Sequence, residues 1–405
     1  MGDAERLLWS VVRSGADFSV DAARGLAALV GSRERDVDAC TQLASLLREI
    51  VRREPESWRD WFHLGSALLD TGSSCEAIEA LSTASLFLAS GRASDEASDD
   101  DDPESAELHF LLGSSLATLH SDEACELVSR GRWLGDDDDD DSRSPEERVR
   151  AAARAALREA MRRSRGGAHA RAEHQLLALS DDPASAPARA SAASVAALFD
   201  DFAWSFDETL VAGLRYSLPA RLAFKIDQHL AAANASCYAT ALDAGCGTGL
   251  LGVALGDLVH SLAGCDLSEN MCALARARET VSGDRVYETV RTGDLLDVEL
   301  YGAASYDLIA AADVVCYFGE LDHLFALWLQ HLAPGGDLVF SCESLLDSER
   351  PWHLEVSGRY KHAPHHVRRV AADAGLVLLD AEDVVARYEQ GHPVHSTLYL
   401  LHRPL

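Results

Sequence analysis

The 405-residue chain is poor in several things that would place it in large protein classes. It has no run approaching the roughly 18 consecutive apolar residues of a membrane span. The opening Met1-Gly2-Asp3-Ala4-Glu5-Arg6 has no hydrophobic signal core, and position six is not the Ser or Thr of a myristoylation signal. The nine cysteines include no Cys-x-x-Cys pair and keep no regular spacing. Cys246, Cys265, Cys316 and Cys342 lie among apolar or small residues, and read as small buried thiols in a reducing compartment. Basic residues are scarce: 36 Lys and Arg stand against 66 Asp and Glu, a net charge of -30. Repulsion between anions makes nucleic acid an unlikely partner. A soluble cytoplasmic protein is expected, with an organelle address left open.

The length implies two domains. Up to about residue 180 the pattern is helical, with few strand signals. Much of the acidity sits in two runs, Asp95 to Glu107 and Asp136 to Asp141, which read as solvated insertions. Trp61, Leu64, Gly65 and Leu68, followed by Ala77, Leu81 and Ala84, have the spacing of a helical hairpin. Its small residues let two helices approach while the large ones fill the gap. His109, Leu112, Gly113 and Leu116 repeat the first half. Leu43, Leu46, Leu47 and Ile50 form a helical stripe upstream, and Glu146 to Arg163 is a further helix candidate. These positions resemble a short tetratricopeptide array, which implies a curved surface for a peptide or partner protein. Gly65 and Gly113 are 48 apart, 14 more than the roughly 34-residue period, and an acidic loop from Ser94 to Glu104 accounts for the excess. The expected domains are 1–180 helical, 181–194 a small, polar, proline-containing linker, and 195–405 catalytic.

From Val195 onward strands and helices alternate. Strands are expected to end at Asp243 and Asp266, and to run over Val286–Thr292, Tyr306–Ala311, Asp337–Ser341, Leu376–Asp380 and Thr397–His402. Helices are expected over Leu250–Val259, Asn270–Thr280, Leu321–Leu332 and His365–Ala374. The pattern predicts an α/β fold, a mostly parallel sheet with helices on both faces and the ligand beyond the carboxyl ends of the strands.

The most informative segment is Leu242-Asp243-Ala244-Gly245-Cys246-Gly247-Thr248-Gly249. A strand ending in three closely spaced glycines and turning into a helix lets a ligand touch backbone. The spacing is G-x-G-x-G rather than the dinucleotide G-x-G-x-x-G, and Asp243 precedes it. That suits a ligand with an amino-acid end and no phosphate, the carboxylate answering an amine. Asp266, 23 residues on, can accept both hydroxyls of a ribose, and Asp294 in Gly293-Asp294-Leu295 can accept from an adenine amine.

These residues, with Cys265-Asp266-Leu267-Ser268 and Leu332-Ala333-Pro334-Gly335-Gly336, resemble a class I S-adenosylmethionine-dependent methyltransferase over about residues 195–405. The resemblance implies a Rossmann-like seven-stranded sheet with an antiparallel last strand. It places Asp243, Gly245, Cys246, Gly247 and Gly249 at the methionine end of the cofactor, Asp266 and Leu267 at the ribose and adenine, and Asp294 and Leu295 at the adenine. The whole is similar to methyltransferases with N-terminal tetratricopeptide repeats, in which a Leu-Phe-Asp-x-Tyr-Ala-x-x-Phe-Asp helix precedes the domain. Here it reads Leu198 to Asp207, with Phe202 in the tyrosine position. Phe202, Trp204 and Phe206 could form a lid or simply pack into the core. Ser357-Gly358-Arg359-Tyr360-Lys361-His362 matches a second segment of that family and implies Tyr360 and His362 at the substrate.

After the fourth strand, Asp313 and Tyr317 stand where the methyl group should point. Asp313 could orient the cofactor's amine, serve as a base, or only satisfy local amides. The segment is not the Asp/Asn-Pro-Pro-Tyr of amide and adenine methylases. His362 and His366 have a zinc-like spacing, but Pro364 starts the helix after His362, so no metal is expected. Small-molecule and protein acceptors both stay open. A binding scaffold with a cofactor-sensing or inactive domain is the rival of another class.

Overall fold

The computed structural model describes residues 20–31, 37–90, 103–131, 143–164, 169–180, 186–203, 206–207, 215–302, 304–346, 348–389 and 392–405. Both acidic loop centres, 91–102 and 132–142, lie outside them. Contacts divide the chain into two units, Met1–Leu179 and Ser180–Leu405.

The first unit is built from α1 (Val20–Gly31), α2 (Val37–Arg53), α3 (Trp58–Asp70), α4 (Ser74–Ala89), α5 (Pro103–Ala117), α6 (Ser121–Arg130), α7 (Pro145–Arg163) and α8 (Ala170–Ala178). The stripe Leu43, Leu46, Leu47 and Ile50 is buried against Leu64, Ala67 and Leu68. Gly65 is needed for close approach: a Cβ there would lie 2.6 Å from Leu81 Cγ. Gly113 plays the same part against Leu157, 2.7 Å away, so α5 rests on α7. Ser144 and Glu147 cap the start of α7 reciprocally, which fixes where that helix resumes after the acidic run.

The second unit holds α9 (Ala192–Phe202), α10 (Leu218–Ala232), β1 (Tyr238–Ala244), α11 (Leu250–Leu255), β2 (Val259–Asp266), α12 (Glu269–Ala277), β3 (Thr289–Thr292), β4 (Tyr306–Ala311), α13 (Asp322–His331), β5 (Leu332–Glu343), β6 (Trp352–Leu354), β7 (Tyr360–His362), α14 (Pro364–Asp373), β8 (Val377–Glu389) and β9 (His392–His402). Seven strands form one sheet in the order β3-β2-β1-β4-β5-β9-β8. The first five are parallel, and β9 runs antiparallel to both β5 and β8. The expected Rossmann-like α/β sheet is therefore present.

Central strands are buried on both faces, and the period of two sorts them. Ile309, Leu338, Phe340 and Tyr399 join Phe325 and Trp328 on one side. Leu308, Ala310, Val339, Leu398 and Leu400 join Leu222, Ile226 and Leu251 on the other. Burying each large side chain contributes roughly 1.5–3 kcal/mol. Parallel order puts the carboxyl ends of β1, β2, β4 and β5 on one rim, where the site forms.

Three expectations need correction. The linker's described part, residues 186–194, belongs to the second unit: Ala190 N donates to Tyr317 O (2.9 Å), and Gly319 N and Glu320 N donate to Ala188 O (2.8 and 2.9 Å). Small, polar residues look like tether in sequence, but their backbone groups are used in pairing. The last two strands are much longer than expected and form a hairpin, because the polar face of an edge strand hides its pattern. A short β6–β7 hairpin, without a clear sequence signal, precedes α14.

Candidate functional site

The glycine turn leaves β1 at Gly245 (φ 78°) and passes through Gly247 (φ 52°), conformations that side chains resist. The glycines have different reasons. A Cβ at Gly245 would sit 2.3 Å from Val314 Cγ2, whereas one at Gly247 would meet nothing within 4 Å. Gly249 and Gly252 instead make room for Tyr287: a Cβ at Gly252 would be 2.3 Å from its hydroxyl oxygen. Of these four, Gly247 alone leaves open space above it, a cradle that faces the cavity.

That cavity runs along the rim. Gly245, Gly247, Asp266 and Leu267 line one stretch, Asp294, Leu295, Arg189 and Phe318 another, and Asp313, Tyr317, Tyr216, Arg359, Arg387 and Glu389 a third. Phe199 and Phe206 cover it. Asp266 accepts from Gly247 N and Ser268 N, both at 2.9 Å, and burial raises its carboxyl. The turn is thereby locked to the end of β2.

Asp243 is placed differently from the expectation. It is fully buried and does not line the cavity. It shares a face of β1 with Ala241, toward α10 and α11, where Tyr287 OH donates to Oδ2 at 2.7 Å. Oδ1 has no partner among the described residues, and burial pushes the carboxyl up to about 7. Asp243 therefore supports the turn from beneath. Cys246 is also in the core, close enough that a Cβ on Gly264 would lie 3.2 Å from its sulfur, and Gly249 packs on Tyr287. Neither lines the cavity.

Asp313 has φ 60°, rare for a side-chain-bearing residue, and its amide donates to Ser341 Oγ at 2.7 Å. Its Oδ2 accepts from Arg387 Nη1 at 2.6 Å. Arg387 also donates to Glu343 Oε1 and Glu389 Oε1, both at 2.7 Å, and Arg359 reaches Glu343 and Glu389. Burial raises the Asp313 carboxyl despite Arg387. Burial would raise Glu389 too, but the two guanidinium groups outweigh it and bring it down to about 2. Asp313, Cys316 and Glu343 are close enough to share a metal ion, and the Arg387 cation bonds two of them.

The C-terminal turn of α9 and the residue Asp207 beyond it are tied to the glycine-turn side of the rim. Asp200 accepts from Ser268 Oγ and Asn270, and Asp207 bonds Thr248 and Arg278. Phe199 meets Tyr317 edge-on at 5.6 Å and Phe206 at 6.1 Å. Trp204 and the Phe202 side chain lie outside the described residues. Tyr317 lines the cavity. Tyr360 and His362 do not: Tyr360 is buried and donates to Pro187 O at 2.9 Å, and His362 bonds Gly319 O, with burial lowering it to about 3. Strand β7 turns both inward and leaves Arg359, beside them, at the cavity. Arg189, Phe199, Tyr216, Arg359, Arg387 and Glu389 are among the cavity residues that the sequence reading missed. Only Phe199 and Arg359 lay within motifs that could have flagged them.

Residues 242–340, from the glycine turn through β5, match a family model described as "Methyltransferase domain". Over this segment the chain is similar to methyltransferase domains. A ubiquinone biosynthesis O-methyltransferase of Idiomarina loihiensis is 28% identical over 116 residues, 28% of this chain and 46% of that protein. The chain thus spans about half the length of the curated relative it matches. Among solved structures, an S-adenosylmethionine-dependent methyltransferase from Clostridium acetobutylicum is 18% identical, with 51% of this chain and 100% of that chain covered and a TM-score of 0.39. A magnesium protoporphyrin IX methyltransferase from Synechocystis is 18% identical, covers 45% of this chain and 83% of its own, and has a TM-score of 0.36.

Proposed function

We propose that the protein transfers a methyl group from S-adenosylmethionine to a small acceptor seated beneath α9. The observation that carries this is the single cavity that joins Gly247 and Asp266 to the Asp313–Arg387 cluster. When bound, the cofactor supplies a methyl group already activated on a sulfonium. The open Gly247 cradle admits its amino-acid end, Asp266 accepts the ribose hydroxyls, and Leu267 and Leu295 pack on the base.

The remaining residues position and desolvate. Phe199, Phe206 and Tyr317 keep water from the reacting end, and transfer requires a nucleophile held in line at about 3 Å. Asp313 is the group there that can take the acceptor's proton. Its raised affinity for protons favours that role, and among the described residues its Oδ1 has only the Cys316 thiol, at 3.8 Å. Arg387 holds its other oxygen and fixes the carboxylate in place.

We read the first unit as tetratricopeptide-like. The Gly65–Leu81 and Gly113–Leu157 approaches support that reading, and a partner or peptide is its natural ligand.

Titration calorimetry with S-adenosylhomocysteine tests the site: saturable binding is expected in the full chain, and Asp266→Ala should abolish it. Labelled cofactor incubated with fractionated extract then tests the acceptor. Label in low-mass products supports the small-acceptor reading, label in protein overturns it, and no binding overturns the enzyme reading.

A further inference from the structure

We propose that Arg189 forms the recognition wall at the base end of the cavity, and that Asp294 holds Arg189 rather than reading an adenine amine directly. The inference rests on the reading of this cavity as the cofactor pocket.

The Asp294 carboxylate is heavily used. Arg189 Nη1 donates to Oδ1 at 2.9 Å and Nη2 to Oδ2 at 2.7 Å, while Leu296 N also donates to Oδ1 at 2.9 Å. Three of about four acceptor positions are filled. The guanidinium makes two parallel bonds to the carboxylate with both partners charged, where an adenine amine, uncharged itself, would offer one. The amine therefore does not displace Arg189.

Arg189 is also pinned where it stands. Its Nε donates to Ala190 O at 3.1 Å, and its guanidinium lies 5.6 Å from the Phe318 ring centre. Its backbone bridges to Phe318, and Ala188 and Ala190 on either side bond residues 317–320. Tyr360 OH holds Pro187 O at 2.9 Å. The side chain is 26% exposed, which leaves part of a flat, fixed cation in the cavity beside Leu295. A planar guanidinium stacks well on a heteroaromatic ring, and its donors suit ring nitrogens rather than an exocyclic amine. Such a wall recognises a purine without depending on the 6-amino group.

Two ligands separate the alternatives: S-adenosylhomocysteine and S-inosylhomocysteine, which carries a 6-oxo group in place of the amine. Both are titrated into the full-length wild type, Arg189→Ala and Arg189→Lys, with apo melting curves to confirm folding. The expected result is that the wild type distinguishes the two by less than about threefold. Arg189→Ala should lose at least about tenfold for both, and Arg189→Lys, which keeps the charge but not the plane, should lose a large part of that. If Asp294 reads the amine, removing Arg189 frees it. Unchanged or tighter adenosyl binding by Arg189→Ala, with inosyl binding more than about tenfold weaker, overturns the proposal alone. Absence of binding of both ligands to the wild type overturns the cofactor reading and this inference with it.

Discussion

Asp243→Asn should change how the stability of the second unit depends on pH. The carboxyl is fully buried, bonded on one oxygen by Tyr287 and with no partner among the described residues on the other, and burial pushes it up to about 7 from an ordinary value of 3.8. A folded-state pKa above the unfolded one means the stabilising contribution is complete below the ordinary value and is lost as pH rises through about 7. Linkage with those two values gives a loss of roughly 2.5 kcal/mol between pH 5 and pH 8 from this one group. Asparagine fits the same space without titrating. Its own cost, an amide with imperfect partners, is about 1–3 kcal/mol and does not vary with pH. The informative quantity is therefore the difference between variant and wild type at two pH values, where that cost cancels. For a unit of this size the difference corresponds to roughly 5–10 °C in melting temperature, in favour of the variant at pH 8 relative to pH 5. Calorimetric scans of both proteins at the two pH values measure it. A gap that is the same at both would refute the placement of Asp243 as a buried acid beneath the turn.

Other outcomes follow from the same geometry. Gly245→Ala must place a Cβ 2.3 Å from Val314 at φ 78°, so S-adenosylhomocysteine affinity should fall more than about tenfold and urea stability by about 1–3 kcal/mol. Arg387→Met strands Asp313 and Glu343 beside each other without their shared cation, and chemical unfolding should show a loss of about 3–5 kcal/mol. Asp207→Asn removes the carboxylate that pairs with Arg278 next to Phe206; stopped-flow should show faster release of S-adenosylhomocysteine, with stability altered by less than about 1 kcal/mol because that ion pair is partly solvated. Gly65→Val drives a branched side chain into Leu81, and the melting of the helical unit should drop by an amount equivalent to about 1–3 kcal/mol.

The sheet was legible because its central strands are buried on both faces and so appear as short apolar runs between helical segments. The glycine turn was legible because positive φ leaves few alternatives in sequence. Of the charged half of the cavity, Asp313 was legible and the rest was not. Arg189, Arg387 and Glu389 come from widely spaced parts of the chain, and each alone looks like a solvated residue. What makes them a cluster is the rim that β4, β5, the β6–β7 hairpin and β8 share, which is a property of strand order.

Asp243 shows a subtler limit. Its position beside the glycines was right, but proximity along the chain does not say which face of a strand a side chain takes. The period of two could have said it: Asp243 shares its face with Ala241, and Leu242 and Ala244 take the other. The same holds for the glycines. Three glycines near one turn suggest three openings for a ligand, yet Gly249, like Gly252 in α11 and Gly264 in β2, is small because Tyr287 lies against it and carries its hydroxyl to Asp243. The ligand-facing cradle and the buried Tyr287–Asp243 support are two sides of one turn. A substitution at Gly252 should therefore disturb cofactor binding from below, through a residue that does not line the cavity.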